Sequence, residues 1–246
     1  MPSSVSSSIA PLQPIFPRPA SATSPPPEPP ALASLISHLK LQPHIEGGYF
    51  AETDRDTLRI PNPFLAASAP ATATTSKSIA ALRGDPDFDP EQENATRSAS
   101  TSIFYLLTPG TPLGAWHRNR GRTVHTLHWG KGRYVIIHAD EVGEDGKARV
   151  ETFVVGKDVL KGERLQWIVE GGKFKSSFLL PDDEGEASGG LLISETVIPG
   201  FEYSDHDFLR GEKLKELVTP EQAKELGWML RNEPPPEEHE LVYKQQ

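Results

Sequence analysis

Between residues 99 and 198 the chain is cut into short apolar runs by turn-forming residues at close intervals, and few folds accept that texture. The runs are STSIFYLLT (100–108), LGAWH (113–117), TVHTLHW (123–129), RYVIIHA (133–139), ARVETFVV (148–155), ERLQWIV (163–169), KFKSSFLL (173–180) and LLISETVI (191–198). Between them lie PGTP, NRGR, Gly130 and Gly132, EDG, Gly171-Gly172 and PDDEGEASGG. Each run is rich in β-branched and aromatic residues and too short for a packed helix, so each predicts a strand. About eight strands at roughly 8–12-residue spacing predict an antiparallel sandwich or barrel.

The flanks read differently. Residues 1–30 are crowded with Ser, Pro and Ala, and residues 232–246 are polar and acidic. Neither can bury enough apolar surface to offset the entropy of ordering, which predicts disordered tails. Leu32, Leu35, Ile36 and Leu39 recur at helical spacing, predicting a helix over 31–40, and an extended stretch follows over Gly47–Thr53. Residues 61–98 contain AASAPATATTSKS and DPDFDPEQEN, a low-complexity insertion between two strands. Thr219-Pro220-Glu221-Gln222 is a capping box with Pro at the first helical position, opening a helix whose Leu226, Met229 and Leu230 face the domain. The prediction is a single domain over 31–231, all-β, with an N-terminal helix and C-terminal helices packed outside.

The formal net charge of −9 disfavours phosphate backbones, so no nucleic-acid partner is expected. The basic stretch His117-Arg118-Asn119-Arg120-Gly121-Arg122 reads either as a solvated turn or as arginines at a pocket mouth for an anionic ligand. No cysteine is present, which removes disulfide and thiolate chemistry. No run approaches the roughly 18 apolar residues of a membrane span, and no secretory signal opens the chain. The expectation is a cytoplasmic protein. A Ser-rich, acid-poor start containing Arg18 leaves an organellar transit peptide as the alternative.

Four segments in order carry a resemblance: HIEGGYFAETDRD (44–56), STSIFYLLTPG (100–110), the His117-Arg118 pair and TVIPGFEYSDHDF (196–208). Together they resemble an uncharacterised family of the cupin superfamily, over roughly residues 31–231. The resemblance implies an antiparallel double-stranded β-helix, the cupin or jelly-roll barrel, that often forms homodimers. Metal-binding cupins place His-x-His on one strand, a Glu beyond it and a further His on a later strand. Here Ala115 stands at the first His position, Thr123 at the Glu and Lys175 near the last His, leaving His117 by itself. The metal site that the resemblance implies is therefore not expected, and no cofactor is. A rearranged site for a divalent transition metal, from His117 and His125 with Glu46 or Glu52, is the alternative.

What remains is a small-molecule pocket. The matching segments imply catalytic candidates His117, Tyr49 and Glu52, and ligand-binding candidates Glu46, Arg118, Thr123, His125, Tyr203 and Asp205. A histidine beside a carboxylate can act as a base near neutral pH, with a tyrosine supplying a proton opposite. That combination resembles the metal-independent cupin epimerases of nucleotide sugars. Three functions stand: a metal-free isomerase or epimerase, a metal-dependent oxygenase or isomerase, and a non-catalytic binding or structural barrel. For Glu46-Gly47-Gly48-Tyr49 the plain reading is a tight turn, Tyr105 reads as core, and His128 and His138 read as surface or satisfied core histidines; Asp205-His206-Asp207 resembles a ligand cluster, but its place before a helix favours an N-cap.

Overall fold

Alternating apolar strands bury one face each, and two sheets packed on one another are the simplest way to cover those faces. The computed structural model describes residues 12–20, 25–65, 95–181 and 189–232. Its strands run β1 (Gln42–Pro43), β2 (Tyr49–Arg55), β3 (Arg59–Pro61), β4 (Thr96–Ser98), β5 (Thr101–Leu107), β6 (Leu113–Asn119), β7 (Arg122–Gly130), β8 (Gly132–Val142), β9 (Ala148–Val155), β10 (Gln166–Val169), β11 (Phe174–Leu179), β12 (Leu191–Ile198) and β13 (His206–Phe208). One sheet is six-stranded in the order β1-β2-β5-β12-β7-β10, the facing sheet five-stranded in the order β13-β6-β11-β8-β9, and β3 and β4 form a separate ribbon. The strand pairs are antiparallel. The fold is the cupin barrel that the sequence predicts.

Three apolar layers hold it. Between the sheets lie Tyr105, Leu107, Tyr134, Phe153, Trp167 and Ile193. Behind the five-stranded sheet, Trp116, Val135, Ile137 and Phe174 meet Leu214, Leu226 and Met229 from the C-terminal helices α2 (Gly211–Leu217) and α3 (Pro220–Leu226). The capping box at Thr219 forms as its sequence predicts, with Gln222 reciprocating. Behind the six-stranded sheet, α1 (Pro30–His38) sets Leu35 and Ile36 against Leu41, Tyr49, Leu106 and Leu192.

The stretch expected to be a disordered tail differs in part. Residues 12–20 lie along the C-terminal helices. Leu12 is buried, its carbonyl accepts from Trp228 Nε1 at 2.9 Å, and Arg18 donates to the Trp228 and Leu230 carbonyls at 2.6 and 2.9 Å. One leucine and one arginine in a Pro-rich stretch suffice for this contact, because proline lowers the entropy lost on docking. Residues 66–94 of the expected insertion and 233–246 of the expected C-terminal tail lie outside the described residues. The described ends of the insertion pair with each other as β3 and β4.

Removing residues 1–20 deletes the Leu12 anchor and both Arg18 hydrogen bonds. The expected outcome is a folded domain melting several degrees lower, since burying one leucine contributes about 2 kcal/mol. An unchanged melting curve would show that the segment contributes nothing to the domain.

Candidate functional site

Residues opposite each other in an antiparallel ladder share a face, so registers decide which side chains meet inside the barrel. On the five-stranded sheet, His206 pairs with Asn119 and Phe208 with His117, while Lys175 pairs with His117 from the other side. On the six-stranded sheet, Glu195 faces His125 across one ladder and Ile103 across the other, and Phe50 faces Tyr105. Together these strands bound an interior pocket. Its lining includes His44, Glu46, Phe50, Glu52, Tyr105, His117, Asn119, Glu195, Phe201 and Tyr203. The free space is about 60 Å³, room for a few water-sized groups.

Glu46 reaches the pocket because of the turn behind it. Gly47 and Gly48 hold φ of 103° and 71°, and a Cβ on Gly47 would stand 2.1 Å from the Leu113 carbonyl oxygen. The tight-turn reading is therefore correct, and the turn is also what delivers the carboxylate. Glu46 Oε1 lies 2.8 Å from His206 Nε2 and 3.3 Å from His117 Nε2, and Oε2 lies 3.5 Å from His44 Nδ1. His117 Nδ1 lies 2.8 Å from the Ala115 carbonyl, so it carries the proton and Nε2 turns towards Glu46. Burial alone would raise the Glu46 pKa, but the imidazoles of His117 and His44 and the His206 hydrogen bond outweigh it and hold it at about 2. Burial pushes His117 down to about 3, Glu46 opposes the fall, and Lys175 and His206 reinforce it. A full His117–Glu46 ion pair would demand the opposite shift in His117. We therefore read a neutral imidazole beside an ionised carboxylate.

A second cluster lies beside it. Lys175 Nζ donates to Glu195 Oε2 at 2.7 Å and to His125 Nε2 at 2.9 Å, with Lys175 and His125 fully enclosed. His125 stacks on Trp167 with centroids 5.0 Å apart. Burial lowers the His125 pKa and the Lys175 charge lowers it further. Burial would raise Glu195, yet Lys175 and His125 hold it well below the carboxylate range. At the position where the resemblance implies a metal-ligating histidine, the chain supplies its own cation.

The candidate residues scatter more than the sequence implies. His117, Glu46, Glu52 and Tyr203 line the pocket, with Glu52 paired to Arg55 at 2.9 Å. Tyr49 points the other way, into the layer under α1. It donates to Glu28 at 3.0 Å, and its pKa is raised by burial and by that carboxylate. Positions 49 and 52 have opposite parity on β2, so one strand cannot aim both inward. Arg118 also faces outward, paired with Asp207 at 2.9 Å and lying 4.8 Å over Phe174. Arg122 pairs outside with Glu170. The arginine mouth for an anion does not form. Thr123 and His125 are buried inside the barrel beyond the pocket lining. Asp205 is no helix cap: its carboxylate accepts from Arg97 at 3.1 Å, and α2 starts after Arg210. His128 is exposed, and His138 is satisfied by Glu151 at 3.0 Å. Sequence reasoning missed Glu195 and Lys175 as its partner, and set His206 aside with its neighbours as an N-cap. A charged residue at an inward position of an apolar strand, as in LLISETVI, is the signal that could have found Glu195.

The rearranged set of His117 and His125 with a carboxylate does not assemble, because Lys175 occupies His125. A different set does. One ligating atom each from Glu46, His117 and His206 lies within 4.8 Å of the others, a two-histidine, one-carboxylate group that suits divalent transition metals. Among the described residues the other such group, His138 with Asp140 and Glu141, has its carboxylates committed to Lys173 and Arg149.

A family model described as "Cupin superfamily (DUF985)" matches residues 33–209. An uncharacterized protein of Saccharomyces cerevisiae is 44% identical over 207 residues, covering 83% of this chain and 89% of that protein. A hypothetical protein from Leishmania major matches with a TM-score of 0.60 at 27% identity, over 81% of this chain and 98% of its own. A protein from Shewanella oneidensis has the same fold, with a TM-score of 0.56 at 21% identity over 81% and 97%.

Replacing Lys175 by Met strands a buried carboxylate, which costs about 3–5 kcal/mol. Adding Glu195→Gln should recover most of that loss. Wild-type Glu195, with its pKa depressed below 4.5, contributes stability above that value and loses it only in strong acid. In Lys175→Met the shift reverses, so that variant should gain stability relative to wild type as pH falls from 7 towards 5. Chemical denaturation of the three proteins across that range checks both points.

Proposed function

This chain belongs to the DUF985 family of the cupin superfamily, and from that premise we propose that its barrel interior binds a small, uncharged, hydroxyl-bearing molecule of the sugar-like class. The observation that carries the reading is an excess of acceptors on the pocket wall. Glu46 is ionised, His117 presents its bare Nε2, and Asn119 Oδ1 is buried with no hydrogen-bond partner. A buried acceptor without a donor, as Asn119 Oδ1 is, is costly, and a ligand hydroxyl would satisfy it while reaching the carboxylate and imidazole beside it. Phe50, Ile103, Phe201 and Tyr203 supply apolar walls for the carbon skeleton. The three carboxylates of Glu46, Glu52 and Glu195 on that wall, with the arginines outside, weigh against a free anion. The space of about 60 Å³ takes a few water-sized groups, the hydroxyl end of a short polyol for instance, and leaves any nucleotide outside.

A second reading, proton transfer, is favoured by the contact of His117 Nε2 with the Glu46 carboxylate at 3.3 Å. A neutral imidazole held by the Ala115 carbonyl has a lone pair to accept a proton from a carbon beside a ligand carbonyl; with its pKa at about 3 it is a weak base, so the transfer depends on Glu46 to stabilise the imidazolium formed. The tyrosine on the pocket side is Tyr105, whose hydroxyl donates to the Gly47 carbonyl at 2.8 Å and whose pKa burial raises. That makes it a hydrogen-bond donor to an oxygen rather than a proton source.

A thermal-shift screen of small polyols and hydroxy-carbonyl compounds tests the binding reading. A ligand at 100 times its Kd should add about 2.7 kcal/mol of stability. Asn119→Ala and His117→Ala should each weaken that ligand about tenfold or more, while Arg118→Ala should leave it unchanged. Binding that survives the first two and is lost with Arg118→Ala would move the site to the outer face.

A further inference from the structure

We infer that Glu46, His117 and His206 form a binding site for a divalent first-row transition metal, in which Glu46 and His206, from outside the ligand positions of metal-binding cupins, join the one histidine that stands at such a position. The hydroxyl-bearing ligand proposed above would chelate at that metal. This last step rests on the binding reading, whereas the metal site itself does not.

The geometry comes first. Nitrogen and oxygen ligands stand about 2.1 Å from such an ion, so neighbouring ligands lie about 3 Å apart. Glu46 Oε1 is flanked by His206 Nε2 at 2.8 Å and His117 Nε2 at 3.3 Å. The two imidazoles lie nearly parallel, 10° apart with centroids 5.3 Å distant, so that both edges face the same oxygen. The β13–β6 register enforces this. His206 and Asn119 share a rung with side chains turned inward, and His117 follows on the next inward rung.

The chemistry of the donors agrees. His117 commits its Nδ1 proton to the Ala115 carbonyl, which fixes the tautomer that leaves Nε2 as a ligand, as outer partners of metal-bound histidines do. Two imidazole nitrogens and a carboxylate suit iron, manganese, cobalt or zinc better than magnesium or calcium, which prefer all-oxygen sites. Lys175 is engaged by Glu195 and His125, and Arg55 by Glu52 and Glu202, so neither is committed to Glu46. The three side chains are buried, at 9%, 7% and 5% exposure, so water does not substitute freely. Asn119 Oδ1, buried and without a partner, lines the same pocket as a further acceptor. Three protein ligands leave coordination positions for oxygens of a bound molecule.

The competing account is a proton shared among the same three groups, and a metal titration separates the two. The full-length protein would be purified without chelator, assayed for metal, stripped, and titrated with Co²⁺ by calorimetry and visible absorption. The expected result is one Co²⁺ per chain with ligand-field bands and a raised melting temperature. Glu46→Gln, His117→Ala and His206→Ala should each weaken it by more than about 100-fold, beyond what outer-partner changes cause. His206→Gln guards against a folding defect, its circular dichroism matching wild type. Glu141→Ala, in the surface cluster, should change nothing. No Co²⁺ uptake by wild type, or uptake lost only in Glu141→Ala, would overturn the proposal. Polyol binding repeated on the stripped protein in chelator keeps the two readings apart. Binding without metal sustains the pocket and removes the chelation step, and Co²⁺ uptake with no polyol binding sustains the metal site and sinks the pocket reading.

Discussion

An ionised side chain inside a small β-barrel must find its counter-charge inside too, and this chain meets that condition at nearly every point. Lys175 stands against Glu195 and His125, Arg55 against Glu52 and Glu202, and Arg97 against Asp205. Each pair closes a seam between elements: strand to facing strand, strand to loop, ribbon to barrel end. Glu46 is the departure, a buried carboxylate among imidazoles. Everything chemically distinctive about the pocket follows from that imbalance. It is rich in acceptors because the cations that could have quenched them are engaged elsewhere.

The Lys175 network also explains how the interior holds together without the ligand set of metal-binding cupins. An ammonium placed between a carboxylate and an imidazole supplies the positive charge that an ion would have supplied, at distances of 2.7 and 2.9 Å. The replacement is fixed in place and has no open position for a ligand. The carboxylate left without such a cation is Glu46, beside His117 and His206.

The strands were legible because two-residue alternation with turn punctuation survives in the sequence almost unbroken from Thr101 to Ile198. The site was legible only where a residue's own strand decides its direction. His117 and Glu46 were found; but the rule that turns His117 inward turns Arg118 outward, and applying it would have retired the arginine mouth. Likewise Phe50 and Glu52 face in, so Tyr49 faces out. His206 could not be found this way. Its place beside His117 depends on β13, a three-residue strand whose pairing with β6 no local pattern announces. The anchoring of residues 12–20 was hidden for a related reason, since a few contacts to a distant helix leave no periodicity to read.

The short β13 has a consequence for the order in which the molecule is assembled. Glu46 precedes the hairpins of the barrel and His206 follows them, and the two meet across 160 positions of sequence. Contacts of such separation reward the chain only after the intervening loops have closed. The barrel strands can pair first, and the pocket's polar centre is then completed from both ends of the domain. A centre contributed by flanking segments can be altered by changes at either end while the hairpins between them stay as they are, so neighbouring members of this fold are free to differ in chemistry without differing in frame.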